Sequence, residues 1–266
     1  MPKPKKRFGQ HFLRDNSVLA RIVALLAPQA GDHLVEIGPG QGALTRYLLP
    51  HCRRLDAIEI DYDLVEELQA QFTAAQNLHI HRADALNFDF TQLAEGTKAL
   101  RIVGNLPYNI STPLLFHLFE QKQAIRDMLF MLQKEVVERL AAPPGSRQYG
   151  RLSVMAQYHC RIVKRFTVAP ASFYPPPKVV SALVELTPHP TPPVEVGDYA
   201  CFQAVVAAAF GQRRKTLRNA LKSLLAEETI RACGIDPSAR AENLPLSAFA
   251  ALSRTLAAHP VHSPAG

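Results

Sequence analysis

The stretch His33-Leu34-Val35-Glu36-Ile37-Gly38-Pro39-Gly40-Gln41-Gly42 decides the fold. From His33 to Ile37 the chain is mostly apolar and only strand-long, which reads as a short strand buried in a sheet. Glycines at alternate positions then permit a sharp turn and a close approach of the backbone to a ligand. A helix is expected from Ala43 to Leu49, so the turn sits at a helix N-terminus, where backbone amides face outward.

Working outward, the same alternation repeats. Strands are expected from Leu55 to Ile60, Leu78 to Arg82, Leu100 to Gly104 and Ile125 to Leu132. Helices are expected from Leu64 to Ala75, Pro113 to Phe119 and Gln133 to Leu140. Strands alternating with helices imply a parallel, doubly wound sheet. Two later runs, Arg161 to Thr167 and Val179 to Leu186, read as strands that close it. Upstream, Asp15 and Asn16 cap an amphipathic helix running from Val18 to Ala27. The run Thr187 to Val196 holds four prolines in ten residues, too many for helix interior. It divides the chain into an α/β domain over 1–187, a linker over 188–197 and an all-helical domain over 198–266, with helices expected from Tyr199 to Phe210 and Lys215 to Ala226.

The chain has 266 residues, 47% of them hydrophobic, enough for one large core and a small one. Its net charge is +7 and its isoelectric point about 9.4, a balance that favours polyanionic partners. Lys3 to Arg14 carries five basic residues and no acid. Cys52, Cys160, Cys201 and Cys233 are scattered, which gives no metal or redox signature and fits a reducing compartment. No secretory or membrane-spanning segment is seen, so a cytoplasmic protein without a metal is expected.

Several motifs carry chemistry. Gly38, Gly40 and Gly42 read as the G-x-G-x-G of methyltransferases, while Gly38, Gly40 and Ala43 also satisfy the G-x-G-x-x-G/A of dinucleotide binders. Glu59, 21 residues after Gly38, is placed to accept from ribose hydroxyls. Asp84, after the third strand, is placed to accept from a cofactor adenine, and is equally a common turn cap. Asn105-Leu106-Pro107-Tyr108 resolves the cofactor. The N6 lone pair of adenine is delocalised into its ring, so the amine is a poor nucleophile. The Asn105 side-chain oxygen and the Leu106 carbonyl can grip its protons and stabilise charge developing on nitrogen. Pro107 stiffens the turn, and Tyr108 offers a face to an unstacked base. A dehydrogenase has no use for this motif. Phe173-Tyr174-Pro175-Pro176-Pro177-Lys178-Val179 places an aromatic, Phe173, for a second pocket wall and a cation, Lys178, for phosphate. The run Gly211 to Lys222 holds five basic residues, Arg213, Arg214, Lys215, Arg218 and Lys222, and no acid, and on a helix Arg214, Arg218 and Lys222 would share a face suited to an RNA backbone.

Taken together, Gly9 to Leu13, Val35 to Gly42, Asn105 to Ser111, Phe173 to Val179 and Gln212 to Leu221 resemble the ribosomal-RNA adenine N6-dimethyltransferases of the small subunit. The likeness runs from about Arg7 to about Asn243. It implies a Rossmann-like methyltransferase domain with a small helical C-terminal domain, and S-adenosylmethionine as methyl donor. It also implies dimethylation of two adjacent adenosines in a hairpin loop near the 3′ end of 16S rRNA in an assembling 30S particle. Nothing in the sequence suggests an obligate dimer, so a monomer is expected. Cofactor contacts implied by the resemblance are His11, Leu13, Gly38, Gly40, Gly42, Glu59, Asp84 and Asn105. The target adenine would meet Asn105, Leu106 and Tyr108, with Phe173 opposite. His11 stands where the family usually has Asn. Three alternatives stay open: methylation of large-subunit RNA, as by macrolide-resistance enzymes; an RNA-binding assembly factor without catalysis; and DNA adenine methylation.

Overall fold

The computed structural model describes residues 9–212 and 214–258. Arg213 and the cationic residues of Lys3 to Arg7 lie outside them.

By internal contacts the chain forms two units. The first comprises Met1–Val137 and Arg161–Pro188; the second comprises Glu138–Cys160 and His189–Gly266. The expected break near residue 188 coincides with one crossing between units. The other two crossings, within 137–138 and 160–161, went unread in the sequence, because nothing in composition marks them. The proline-rich stretch is counted with the second unit, where the Ser253 hydroxyl donates to the Val196 carbonyl at 2.7 Å.

The first unit is built on a seven-stranded sheet. Its strands are β2 (His33–Ile37), β3 (Arg54–Glu59), β4 (Leu78–Arg82), β5 (Leu100–Asn105), β6 (Ile125–Gln133), β7 (Cys160–Val168) and β9 (Ser181–Pro188). Their order across the sheet is β4-β3-β2-β5-β6-β9-β7. The pairs β3–β4, β2–β3, β2–β5 and β5–β6 are parallel, and β9 runs antiparallel to β6. A separate two-residue ladder joins β1 (Phe12–Leu13) to β8 (Phe173–Tyr174). Helices α1 (Asn16–Leu26) and α2 (Ala43–Leu48) share one apolar cluster with Leu34, Leu55, Val103, Leu129 and Leu183 of the sheet. Helices α3 (Tyr62–Gln71), α4 (Ser111–Glu120) and α5 (Lys134–Leu140) follow along the chain. Asp15 caps α1, accepting from the amides of Ser17 and Val18. The sheet is covered on both faces, which is why all five residues of β2 are buried.

That burial encloses a carboxylate, Asp56 of β3, which is fully buried. His33 of β2 and His81 of β4 each place Nε2 at 2.5 Å from it, and Arg54 grips both its oxygens at 2.7 and 3.0 Å. One charge thus ties three adjacent strands. At β5 the strands approach so closely that a Cβ on Gly104 would lie 2.5 Å from the Ile37 carbonyl oxygen.

In the second unit, α6 (Arg151–His159), α7 (Tyr199–Gly211) and α10 (Leu246–Ala258) surround an aromatic group. Phe202 lies 4.9 Å from Tyr158 between ring centres, and Phe210 lies 5.6 Å from Phe249. The helix expected from Lys215 to Ala226 is not continuous. It is a single turn, α8 (Leu217–Ala220), followed by bends and α9 (Glu227–Ala232). The amides of Leu217 and Arg218 bond to Ala239 and Pro237 carbonyls, and Glu227 and Glu228 favour a fresh helix N-terminus.

Burial alone would raise the Asp56 carboxyl, but hydrogen bonds from His33, His81 and Arg54 outweigh it and hold the group well below the usual carboxylate range. A depressed native value stabilises the fold above the unfolded value near ~4 and is lost as pH falls further. Asp56→Asn is expected to cost about 3 kcal/mol in urea unfolding at pH 7. That deficit should shrink in acid below about pH 4.

Candidate functional site

A cavity of about 800 Å³ opens at the carboxyl ends of β2 to β6, where the strand order reverses between β2 and β5. In open α/β sheets that reversal splays the loops apart and leaves a ligand crevice. The cavity is lined from one side by Gly38, Gly40, Glu59 and Asp84, and from the other by His11, Leu13, Asn105, Leu106 and Tyr108.

Positive φ at Gly38, Gly40 and Gly42 turns the chain from β2 into α2. A Cβ on Gly40 would come within 2.9 Å of the Phe12 ring. Glu59 accepts from the Gly40 amide at 3.2 Å and from the Asp61 amide at 2.9 Å, so the glycine turn and the acid form one unit. Burial raises the Glu59 carboxyl, and those amide bonds oppose the shift. Gly42 is a correction: it is not on the cavity wall. It starts α2, and the space a side chain would need is taken by Phe72 at 2.7 Å and Leu68 at 3.0 Å. Asp84 lines the cavity and also caps its own turn, accepting from the Leu86 amide at 2.9 Å.

The Asn105 side chain is fixed by one bond: Nδ2 donates to the His11 carbonyl at 2.8 Å. A carbonyl can only accept, so the amide orientation follows, and Oδ1 is the atom left over. The Leu106 amide donates to the Met131 carbonyl at 3.1 Å, which anchors the turn to β6. Tyr108 donates or accepts through its hydroxyl at 2.7 Å from Ser181, and its ring stacks on His11 with centres 5.7 Å apart. Burial pushes the Tyr108 phenol above its usual range, the Ser181 bond opposing, so it stays neutral. His11 bonds through Nδ1 to the Pro175 carbonyl at 2.7 Å. That nitrogen must carry the proton, because its partner has none to give.

Phe173 is the second correction. Its side chain is 4% exposed, inside the cluster that holds Leu13, Met131 and Leu183, and it backs the cavity wall without forming its surface. The β1–β8 ladder explains this: alternation along a strand sends Phe173 inward and its neighbour Tyr174 outward. Lys178 is exposed in the same loop. Arg214, Lys215, Arg218 and Lys222 are exposed too, but on turns and the short α8 rather than along one helical face, and Arg218 lies 3.7 Å from Glu227.

Two cavity residues escaped the sequence reading. Ile60, directly after Glu59, is 46% exposed, an apolar wall beside the acid that suits a flat aromatic ring. Glu36 is 2% exposed, lines the cavity and accepts from the Thr45 hydroxyl at 2.6 Å. Burial, with the nearby charge of Glu59, pushes its carboxyl up to about 7, against the Thr45 bond. The only signal was an acid inside an otherwise apolar strand.

These residues fit a nucleoside carrying a cationic tail. Acid and apolar wall suit ribose and base, the glycine turn admits close backbone approach, and the buried acids Glu36 and Glu59 suit positive charge. A carboxyl titrating near 7 is protonated below that pH and anionic above it. Affinity for S-adenosylmethionine, measured by calorimetry, should therefore rise from pH 6 to pH 8. Glu36→Gln should flatten the rise; an unchanged slope would remove Glu36 from cofactor binding.

A family profile for ribosomal RNA adenine dimethylase matches residues 1–258. The chain is 57% identical over 253 residues to ribosomal RNA small subunit methyltransferase A of Methylococcus capsulatus, covering 95% of this chain and 98% of that protein. It is 53% identical over 262 residues to the protein of the same name from Pseudomonas fluorescens, covering 98% and 96%. A solved dimethyladenosine transferase from Plasmodium falciparum aligns over 91% of this chain and 96% of its own, with TM-score 0.76 and 26% identity.

Proposed function

The chain belongs to the ribosomal RNA adenine dimethylase family, and on that premise we propose that it methylates N6 of two adjacent adenosines in a hairpin loop near the 3′ end of 16S rRNA, forming N6,N6-dimethyladenosine. The observation that carries the proposal is the single orientation of the Asn105 amide. With Nδ2 committed to the His11 carbonyl, Oδ1 is the atom left to accept from a base in the cavity that Asn105 and Tyr108 both line.

Bound S-adenosylmethionine supplies an electrophilic methyl group on a sulfonium. Asn105 Oδ1 and the Leu106 carbonyl accept the N6 protons, drawing the amine lone pair out of conjugation. A new N–CH3 bond forms as the S–CH3 bond breaks. Charge appearing on nitrogen is met by those two oxygens, already in place before the reaction. The alkylated nitrogen then gives its proton to water, so no strong base is required. Tyr108, neutral and held by Ser181, stacks on the flipped base. His11, Leu13, Gly38, Gly40, Glu59 and Asp84 hold the donor, with Glu36 and Ile60 added.

Exposed Lys178, Arg214, Lys215, Arg218 and Lys222 are the proposed phosphate contacts, with Arg213. The partner is small-subunit RNA in an assembling particle, and the chain works as a cytoplasmic monomer. Among the described residues no helix is long and apolar enough to cross a membrane. The names of the relatives favour the small subunit over the large one.

The test incubates the protein with labelled donor and small subunits lacking adenine dimethylation, then maps labelled nucleosides. Label in dimethyladenosine near the 3′ end is expected, with Asn105→Ala losing about 10²–10³ in rate. Label confined to large-subunit RNA or to DNA would replace the substrate, and binding without transfer would make the chain an assembly factor.

A further inference from the structure

When one of two adjacent adenosines occupies the pocket, the other is a single phosphate away and lies at the cavity mouth, stripped of its stacking partner. Tyr174 lies beside that cavity, its ring against the Arg14 guanidinium, and Arg14 lines the cavity. The tyrosine is 49% exposed, among the most exposed large side chains of the described residues. It pairs across the β1–β8 ladder with Phe12, a cavity residue. The next residue, Pro175, bonds to His11, which in turn stacks on Tyr108. Tyr174 is thus tied to the base pocket from two sides without being part of its wall.

The Arg14 guanidinium lies 4.1 Å from the centre of the Tyr174 ring. Arg14 itself lines the cavity, is exposed, and has no carboxylate partner among the described residues. The neighbouring acid, Asp15, is committed elsewhere: it accepts from the Ser17 and Val18 amides at 3.0 and 3.3 Å and from the Ser172 hydroxyl at 3.0 Å. The Arg14 amide is fixed to the Ser172 carbonyl at 2.9 Å, so guanidinium and ring are held by the same two segments.

We infer that Tyr174 and Arg14 form a second nucleotide subsite, in which the base next to the flipped adenosine stacks on the tyrosine ring and its phosphate meets the guanidinium. An aromatic face offers every base the same stacking surface, and the cation adds attraction to both the ring and the phosphate. This subsite rests on the adenosine-pair reading above. It gives a pair of adjacent bases an advantage over a single one, because each transfer leaves the other base seated outside.

The test measures binding, not transfer. The full chain with S-adenosylhomocysteine is titrated by fluorescence anisotropy against a labelled RNA hairpin with two adjacent loop adenosines, and against the same hairpin with either adenosine made abasic. The wild type is expected to bind the paired hairpin about tenfold more tightly than either single-base version. Tyr174→Leu should abolish that preference while leaving S-adenosylhomocysteine affinity and melting temperature unchanged. Tyr174→Phe, which keeps the ring, should retain it within about twofold. No preference in the wild type, a preference that survives in Tyr174→Leu, or loss of cofactor affinity along with RNA affinity would each overturn the subsite. Methyl transfer is scored separately. Coupling without transfer would retain the subsite and reject the proposed reaction; transfer without coupling would do the reverse.

Discussion

No side chain fits at Gly104, and the site depends on that. Its absence lets β5 lie against the end of β2 with the Ile37 carbonyl 2.5 Å from where a Cβ would stand. The register that follows pairs Ile37 with Gly104, so the glycine turn after β2 and Asn105 at the end of β5 emerge side by side. The strand order reverses between these two strands, and the loops that leave them diverge. One crevice therefore receives a cofactor-binding loop from one strand and a base-gripping loop from its neighbour.

Three chain segments then close on each other through a short series of bonds. Asn105 reaches the His11 carbonyl, His11 reaches the Pro175 carbonyl, and the Tyr108 hydroxyl reaches Ser181 at the start of β9. Each bond also restricts a chemically active group: an amide orientation, an imidazole proton, a ring plane. The N-terminal segment is thus part of the catalytic turn's support, and His11 contributes its backbone carbonyl whatever its side chain. A substitution at that position keeps the Asn105 contact, because the backbone carbonyl and not the side chain makes it.

The glycine turn, Glu59, Asp84 and Asn105 to Tyr108 were legible in the sequence because each lies at the end of a strand whose apolar run fixes its place. β2 is bounded in the sequence for the same reason, while β4, Leu78-His79-Ile80-His81-Arg82, is bounded by its alternation of apolar and polar residues. Phe173 and Tyr174 were not separable, since a two-residue strand carries no periodicity and only the pairing with Phe12 and Leu13 decides which ring faces in. In the stretch from Lys215 to Ala226, Leu217, Leu221 and Leu225, four residues apart, are all buried. That spacing reports a buried face, which turns can supply as well as a helix. Hydrogen bonds to Ala239 and Pro237, distant in sequence, broke the helix and left no mark in the local pattern. Helix α6 was missed outright, because seven of its nine residues are buried and it shows no polar face.

Glu36 shows why a charged group can be invisible to pattern and central to a site. In the strand it occupies a fully covered position, and among the described residues its one hydrogen-bond partner is the Thr45 hydroxyl. Such a carboxyl is held near neutrality between its two forms, since burial disfavours the anion and Glu59 repels it. A cationic ligand reverses both effects: it supplies the missing countercharge and closes the cavity against water, where the attraction is strongest. Proton release on binding is the thermodynamic consequence. Without that ligand the same acid costs stability as pH rises from the free carboxyl's value near 4.5 to about 7, because over that window the unfolded carboxyl is ionised and the buried one still holds its proton. The strand thus carries a group that suits the liganded state better than the empty one, and the surrounding sheet, whose strands β2, β3 and β4 are tied together at Asp56, holds it in place.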